Sequence, residues 1–166
     1  MDNIQLKGYV AGAIGRIAEL HAVYYHRNWR FGLYFEAKVA SELSAFLSRF
    51  EPARDGFWTV NVDERVEGGI AIDGIDAATR GAHLRWFIMS DKLRDKGIGN
   101  RLMQQAIEFC RACDYRGIYL WTFEGLQAAR HLYEKFGFAL VEENIGEQWG
   151  TRVNEQKFFC DLKRGS

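Results

Sequence analysis

Six consecutive residues, Arg94-Asp95-Lys96-Gly97-Ile98-Gly99, join a strand-like run to a helix-like one, and their types suit an anion. Upstream, Leu84-Arg85-Trp86-Phe87-Ile88-Met89 is short, apolar and aromatic-rich, as a buried strand is. Downstream, Leu102, Ala106, Ile107, Cys110 and Cys113 recur at helical spacing, so a helix starts inside the glycine pair. Unpaired N–H groups and the positive end of the helix dipole would point into such a loop. Glycine lets the backbone approach a ligand and reach positive φ, and Arg94 and Lys96 add positive charge. A phosphate or pyrophosphate fits this pattern, although two glycines at a strand–helix junction also serve packing alone. The run is not the phosphate loop GxxxxGK[ST], because no Lys-Ser or Lys-Thr follows Gly99. It also lacks the three spaced glycines and downstream acidic residue of a dinucleotide fingerprint.

Other reactive residues form weaker patterns. Cys110 and Cys113 make a CxxC, but late in a helix, on its apolar face and without a second Cys or His pair. That placement reads as core packing rather than metal or redox chemistry. His21, His26, His83 and His131 show neither HExxH nor HxxEH spacing, so no metal site is expected.

The elements around the loop follow from periodicity and punctuation. Ile4 to Val10 reads as a first strand, and Ile14 to about Asn28 as a helix. Trp29-Arg30-Phe31-Gly32 interrupts, and a second helix runs from about Glu36 to Phe50, its stripe Val39, Leu43, Phe46, Leu47 and Phe50. Pro52 and Asp55-Gly56 mark its end. Strands follow at Phe57 to Asp63 and Val66 to Ile75, with a tight turn at Asp63-Glu64-Arg65, and a third begins near Arg80 after a polar connection. After the central helix come the strand Gly117 to Trp121, a helix carrying Leu126, Ala129, Tyr133 and Phe136, and Gly137 as its cap. Phe138 to Glu142 and Gln156 to Leu162 are the last strands. The order β-α-α-β-β-β-α-β-α-β-β predicts an α/β fold, a mixed sheet with helices on both faces.

At 166 residues with no linker or repeat, residues 1–166 are expected to form a single domain. The 22 basic and 22 acidic residues cancel, which speaks against a general nucleic-acid footprint. No long apolar run or signal pattern is present, so no membrane partner and a cytoplasmic location are expected. The odd count of 3 cysteines argues against a disulfide framework.

The six-residue loop resembles the [RQ]xxGx[GA] pyrophosphate loop of the GNAT superfamily of N-acetyltransferases. A second stretch, Leu126-Gln127-Ala128-Ala129-Arg130-His131-Leu132-Tyr133-Glu134-Lys135-Phe136-Gly137-Phe138, resembles that superfamily's downstream landmark. The resemblance is strong over about Arg80 to Val141 and elsewhere rests on element order. It implies the GNAT fold, in which the central strand and the strand after the central helix splay apart around acetyl-CoA. By the same resemblance, Arg94, Asp95, Lys96, Gly97, Ile98 and Gly99 hold the pyrophosphate and Asn100 adds a side-chain contact. The stretch Phe87, Ile88 and Met89 pairs with the pantetheine amides as a strand would. GRIAELHAVYY, LRWFIMSDKLRDKGIG and LWTFEGLQAARHLYEKFGF further resemble the acetyltransferase halves of bacterial chains fused to a winged-helix regulator. Only the transferase half is expected here, and no DNA binding is carried over.

The implied reaction moves an acetyl group from acetyl-CoA to a primary amine of a small molecule, peptide or protein. A lysine-like ammonium must first lose a proton, which costs about 4–5 kcal/mol at pH 7. The departing thiolate then needs a proton or a strong hydrogen bond. Tyr133 occupies the family position for that acid, though its spacing equally permits packing on the apolar face. His83 falls near the position of the family's base, or is simply exposed at a strand start; a water chain is the alternative. Arg85, mid-strand, either pairs with an acid or lines the acceptor cleft, where a carboxylate-bearing acceptor would suit it. Trp29 and Phe31, between the first two helices, are candidate acceptor contacts. A non-catalytic acyl-CoA sensor of the same fold is the second reading, against which Tyr133 speaks, because a sensor needs the loop but not the acid. A homodimer is left open.

Overall fold

Short β-branched and aromatic runs build one seven-stranded sheet in the protein, whose computed structural model describes residues 3–163. The strands are β1 (Ile4–Lys7), β2 (Gly56–Val62), β3 (Arg65–Asp73), β4 (Ala82–Met89), β5 (Gly117–Phe123), β6 (Ala139–Gly146) and β7 (Val153–Asp161). The helices are α1 (Ala13–Trp29), α2 (Leu33–Ser48), the short α3 (Ala77–Arg80), α4 (Ile98–Ala112) and α5 (Gln127–Lys135), and a 3₁₀ turn spans Asp91–Leu93. In space the strands run β1-β2-β3-β4-β5-β7-β6. All neighbours are antiparallel except β4 and β5, which are parallel.

The mixed α/β fold expected from the sequence is the one observed, with α3 and the 3₁₀ turn as additions. Where boundaries moved, the periodic signal was absent. Helix α2 begins at Leu33 rather than Glu36, because Leu33 and Tyr34 are apolar yet face outward and join no buried stripe. Strand β6 runs on to Gly146 and β7 begins at Val153. β6 is the edge of the sheet, and its Glu142, Glu143 and Asn144 are exposed, so no burial alternation marks them as strand. The β2–β3 turn has both Asp63 and Glu64 at positive φ (49° and 68°), the conformation that matches the twist of a two-residue hairpin.

Two cores lie on the two faces of the sheet. On one, α4 contributes Leu102, Met103, Ala106 and Cys110, packed with Ile70, Ile72 and Leu84. Burial there pushes the Cys110 thiol up, consistent with a packing residue rather than a reactive one. On the other face, Ile17 of α1 and Leu43 and Phe46 of α2 pack with Ala71, Trp86 and Phe123.

Two irregularities in β4 shape the region between the cores. Strands β4 and β5 pair only at Ala82↔Ile118 and His83↔Tyr119, and diverge beyond. Against β3, the register of β4 shifts between Arg85, opposite Ala71, and Ile88, opposite Gly69. Trp86, at φ 50°, sits in that bulge. The extra residue puts Arg85 and Trp86 on the same face instead of opposite ones. Both touch α2: Arg85 bonds Glu42, and the Trp86 ring lies 5.5 Å from that of Phe46.

Leu102 is wholly buried between α4 and the sheet. Leu102→Ala is expected to lower the unfolding free energy by about 2–5 kcal/mol, read from the midpoint of urea denaturation at unchanged slope.

Candidate active site

The loop between β4 and α4 divides its work between the two glycines. Gly97 precedes α4 at φ 70°, and a Cβ built on it would meet nothing within 4 Å. It serves the left-handed turn and leaves open space above the helix end. At Gly99 a Cβ would lie 3.0 Å from Met89 Cε and 3.4 Å from Leu132 Cδ2, so this glycine allows α4 to pack close to β4 and α5. The Arg101 N–H makes the first bond of the helix, to the Gly97 carbonyl at 3.2 Å. The N–H groups of Ile98, Gly99 and Asn100 therefore lack intrahelical partners and project from the helix end.

A cavity of about 750 Å³ opens against this end. Phe87, Ile88, Met89, Arg94, Asp95, Gly97, Ile98, Gly99 and Asn100 line it, and Lys96 does not. The Arg94 guanidinium donates to Asp91 Oδ1 at 2.6 Å. Lys135 Nζ donates to Asn100 Oδ1 at 2.6 Å, which leaves the Asn100 amide N–H₂ as its donor.

Helix α5 brings Tyr133 to the far side of this cavity. The residue is 7% exposed, its ring 6.4 Å from Phe87 and about 6 Å from Phe138 and Phe158. It also lines a second cavity, of about 480 Å³, that extends toward α2 and β3. The two cavities share Tyr25, Phe87, Leu126 and Tyr133 as walls. Burial raises both phenols well above the ordinary tyrosine range, and for Tyr25 the neighbouring Tyr133 adds to the rise. Both hydroxyls hold their protons at neutral pH and can donate.

The second cavity is charged and largely neutralised from within. Arg85 Nη2 donates to Glu42 Oε1 at 2.5 Å, and Lys38 Nζ lies 2.8 Å from the other oxygen. Burial alone would raise the Glu42 carboxyl, but the bonds from Lys38 and Arg85 hold it below the usual range. Arg49 grips Asp73 with two bonds, at 3.1 and 2.6 Å, and holds that carboxyl down against burial in the same way. The Arg85 guanidinium lies 4.2 Å from the centre of the Trp86 ring.

Two histidines also face this cavity. His83 stacks on Tyr119 at 4.4 Å, at the closed end of the β4–β5 wedge. Burial, with Arg85 as the next cause, pushes its imidazole down to about 3. That direction disfavours His83 as the base. His21 sits against Tyr25 with Nδ1 2.8 Å from the Ile17 carbonyl, so Nδ1 carries the hydrogen and Nε2 is the acceptor. Burial lowers it to about 4.

The structure therefore gathers Phe87 to Met89, most of the loop, Asn100 and Tyr133 around one continuous space. Trp29 lines the loop-side cavity, not the one toward α2. Phe31 lines neither: it is 2% exposed and packed among Tyr25, Phe35 and Phe123, so it is a core residue and no acceptor contact. The α2-side walls come instead from Tyr25, Phe35, Trp86 and Trp149. Trp149 lies in the β6–β7 connection, where no local pattern points to a site.

The sequence profile of the acetyltransferase (GNAT) family matches residues 14–138. No match is found among curated proteins. Among solved structures, an acetyltransferase from Streptococcus agalactiae 2603 is 19% identical with a TM-score of 0.74, covering 96% of this chain and 98% of its own. A GNAT-family acetyltransferase from Staphylococcus aureus Mu50 is 16% identical with a TM-score of 0.76, covering 96% and 99%. A spermidine N-acetyltransferase mutant from Vibrio cholerae is 18% identical with a TM-score of 0.68, covering 98% and 99%. These identities speak to the fold alone, while the profile spans three quarters of the sequence, including the loop and Tyr133. The chain belongs to the GNAT acetyltransferase family.

Proposed function

We propose that the protein is an acetyl-CoA-dependent N-acetyltransferase acting on a primary amine. The observation that carries this reading is that two cavities, one at the α4 helix end and one toward α2, meet at Tyr133. The residues of the first cavity fit the cosubstrate. The helix-end N–H groups and the open space at Gly97 suit a pyrophosphate, and the unpaired edge of β4 past His83 suits a chain of amides. Bound there, acetyl-CoA supplies a thioester carbon to which the amine nitrogen bonds as the C–S bond breaks, with the amine's extra proton lost and the thiolate protonated.

The chain's own groups divide the remaining work. Ile98 to Asn100 and Arg94 hold the anionic end, each charge-assisted bond contributing about 1.5–3 kcal/mol. Tyr133, protonated and dry, donates to the sulfur that leaves. Tyr25 faces the same junction as a second donor and orients the acyl oxygen or the incoming amine. Neither histidine of the α2-side cavity, His21 or His83, is basic enough to take the amine proton, and water carries it away. Spermidine, named for one structural neighbour, is one member of the amine class in which the acceptor belongs.

Three outcomes test this. Acetyl-CoA at about 100 times its Kd is expected to raise the melting temperature by roughly 5–10 °C. Gly97→Val, at a position where a Cβ meets no protein atom within 4 Å, should abolish most of that rise, at a cost to the free protein of about 1–3 kcal/mol from its positive φ. An undiminished rise in the variant would place the ligand elsewhere. With an accepted amine, Tyr133→Phe should slow single-turnover acetyl transfer by roughly 10²–10⁴-fold with little change in CoA affinity. Near-normal turnover would leave Tyr133 a packing residue. The pH profile of kcat/KM should rise with deprotonation of the amine itself and show no inflection from His21 or His83, because both stay neutral down to well below pH 6.5.

A further inference from the structure

The charges of the α2-side cavity bear on what the acceptor carries besides its amine. Its wall carries Lys38, Arg49, Arg80 and Arg85 against Glu42, Asp73 and Asp76, an excess of cations. The two most buried carboxylates are already taken. Asp73 is held by two bonds from Arg49, and Glu42 is shared between Arg85 and Lys38. A polyamine entering here would bring further ammonium groups to a wall with no uncommitted buried carboxylate, and like charges in a partly desolvated site repel.

The cations are less fully committed. Arg85, with its side chain 20% exposed, makes a single hydrogen bond, from Nη2 to Glu42; its Nη1 and Nε have no partner among the described residues. Arg80, at the cavity mouth, lies over the Tyr119 ring at 5.6 Å and has no carboxylate partner among the described residues. Both guanidinium groups line the same cavity, beside His83 and Tyr119. Guanidinium N–H groups in this arrangement match the two oxygens of a carboxylate. Beside them the wall is apolar and aromatic, with Tyr25, Phe35, Val39, Trp86 and Trp149.

Resting on the acetyltransferase reading above, we propose that the acceptor is a small amino carboxylate with an apolar or aromatic body, its carboxylate held by Arg85 and Arg80 and its amine turned toward Tyr133. Trp86 stacks on Arg85 and keeps its fork facing the cavity. The body packs on the aromatic wall, and the carboxylate completes the hydrogen bonds that Arg85 lacks.

The test measures CoA release from acetyl-CoA with phenylalanine and tryptophan, with phenethylamine and tryptamine, which lack the carboxylate, and with spermidine. The expected kcat/KM is roughly 10–100-fold higher for each amino acid than for its decarboxylated partner, the range of one or two charge-assisted bonds. Arg85→Gln should erase that preference by raising KM for the amino acids, with the acetyl-CoA melting shift retained as evidence of folding. Arg85→Lys should recover part of it. Glu42→Gln releases Arg85 from its internal partner and should lower KM for the amino acids; a purely structural Arg85–Glu42 pair predicts no gain. Equal or better turnover of the decarboxylated amines or of spermidine overturns the amino carboxylate while leaving the acetyltransferase intact. Bound acetyl-CoA with no turnover of any amine overturns both readings.

Discussion

Everything at the candidate site depends on two strands that begin as partners and then part. β4 and β5 share only two paired positions, while β5 is tied to β7 along its whole length, from Gly117↔Asp161 to Phe123↔Glu155. β4 is tied just as firmly to β3 on its other side. Held by different outer neighbours, the two strands leave a wedge with unpaired backbone on its walls. Buried backbone donors and acceptors need partners. A ligand whose own amides can stand in for the missing ladder gains those bonds without displacing any within the protein.

The wedge also explains how one tyrosine can serve two cavities. Tyr133 reaches the gap from α5, where a continuous sheet would have sealed it off from the α2 side. Its neighbours there, Tyr25 and Phe87, exclude water, and the same exclusion keeps both phenols protonated. Burial raises the Tyr133 phenol and lowers the His21 and His83 imidazoles. One physical cause, desolvation, sorts acids from bases in this site.

What could be read in advance was local. The loop at Gly97, the start of α4 and the place of Tyr133 before Gly137 are each written within a few consecutive residues, where spacing and turn chemistry act directly. The α2-side cavity is not written that way. Its walls come from α1, α2, β3, β4, β5 and the β6–β7 connection, and Glu42 meets Arg85 across 43 positions of sequence. Phe31 and Trp29 illustrate the limit: Trp29 ends α1 and Phe31 follows two residues later, yet Phe31 is sealed in the core and Trp29 faces the loop-side cavity. Residue type could not separate them, because tertiary packing made the distinction. The β6 edge failed to announce its length for a related reason, since a strand wet on both sides has no burial period to detect.

The bulge at Trp86 ties these threads to a cost. A bulky aromatic at φ 50° is strained by about 1–3 kcal/mol, and such strain persists only where surrounding packing enforces it. Trp86 is 9% exposed and wedged against Phe46, so burial of the ring offsets the strain. Regular alternation would have sent Arg85 and Trp86 to opposite faces of the sheet. The guanidinium would then have lost its aromatic support, and one of the two side chains would have left the α2-side wall. The guanidinium on the α2-side wall and the ring it stacks on are neighbours in sequence. Only the extra residue in the strand makes them neighbours in space.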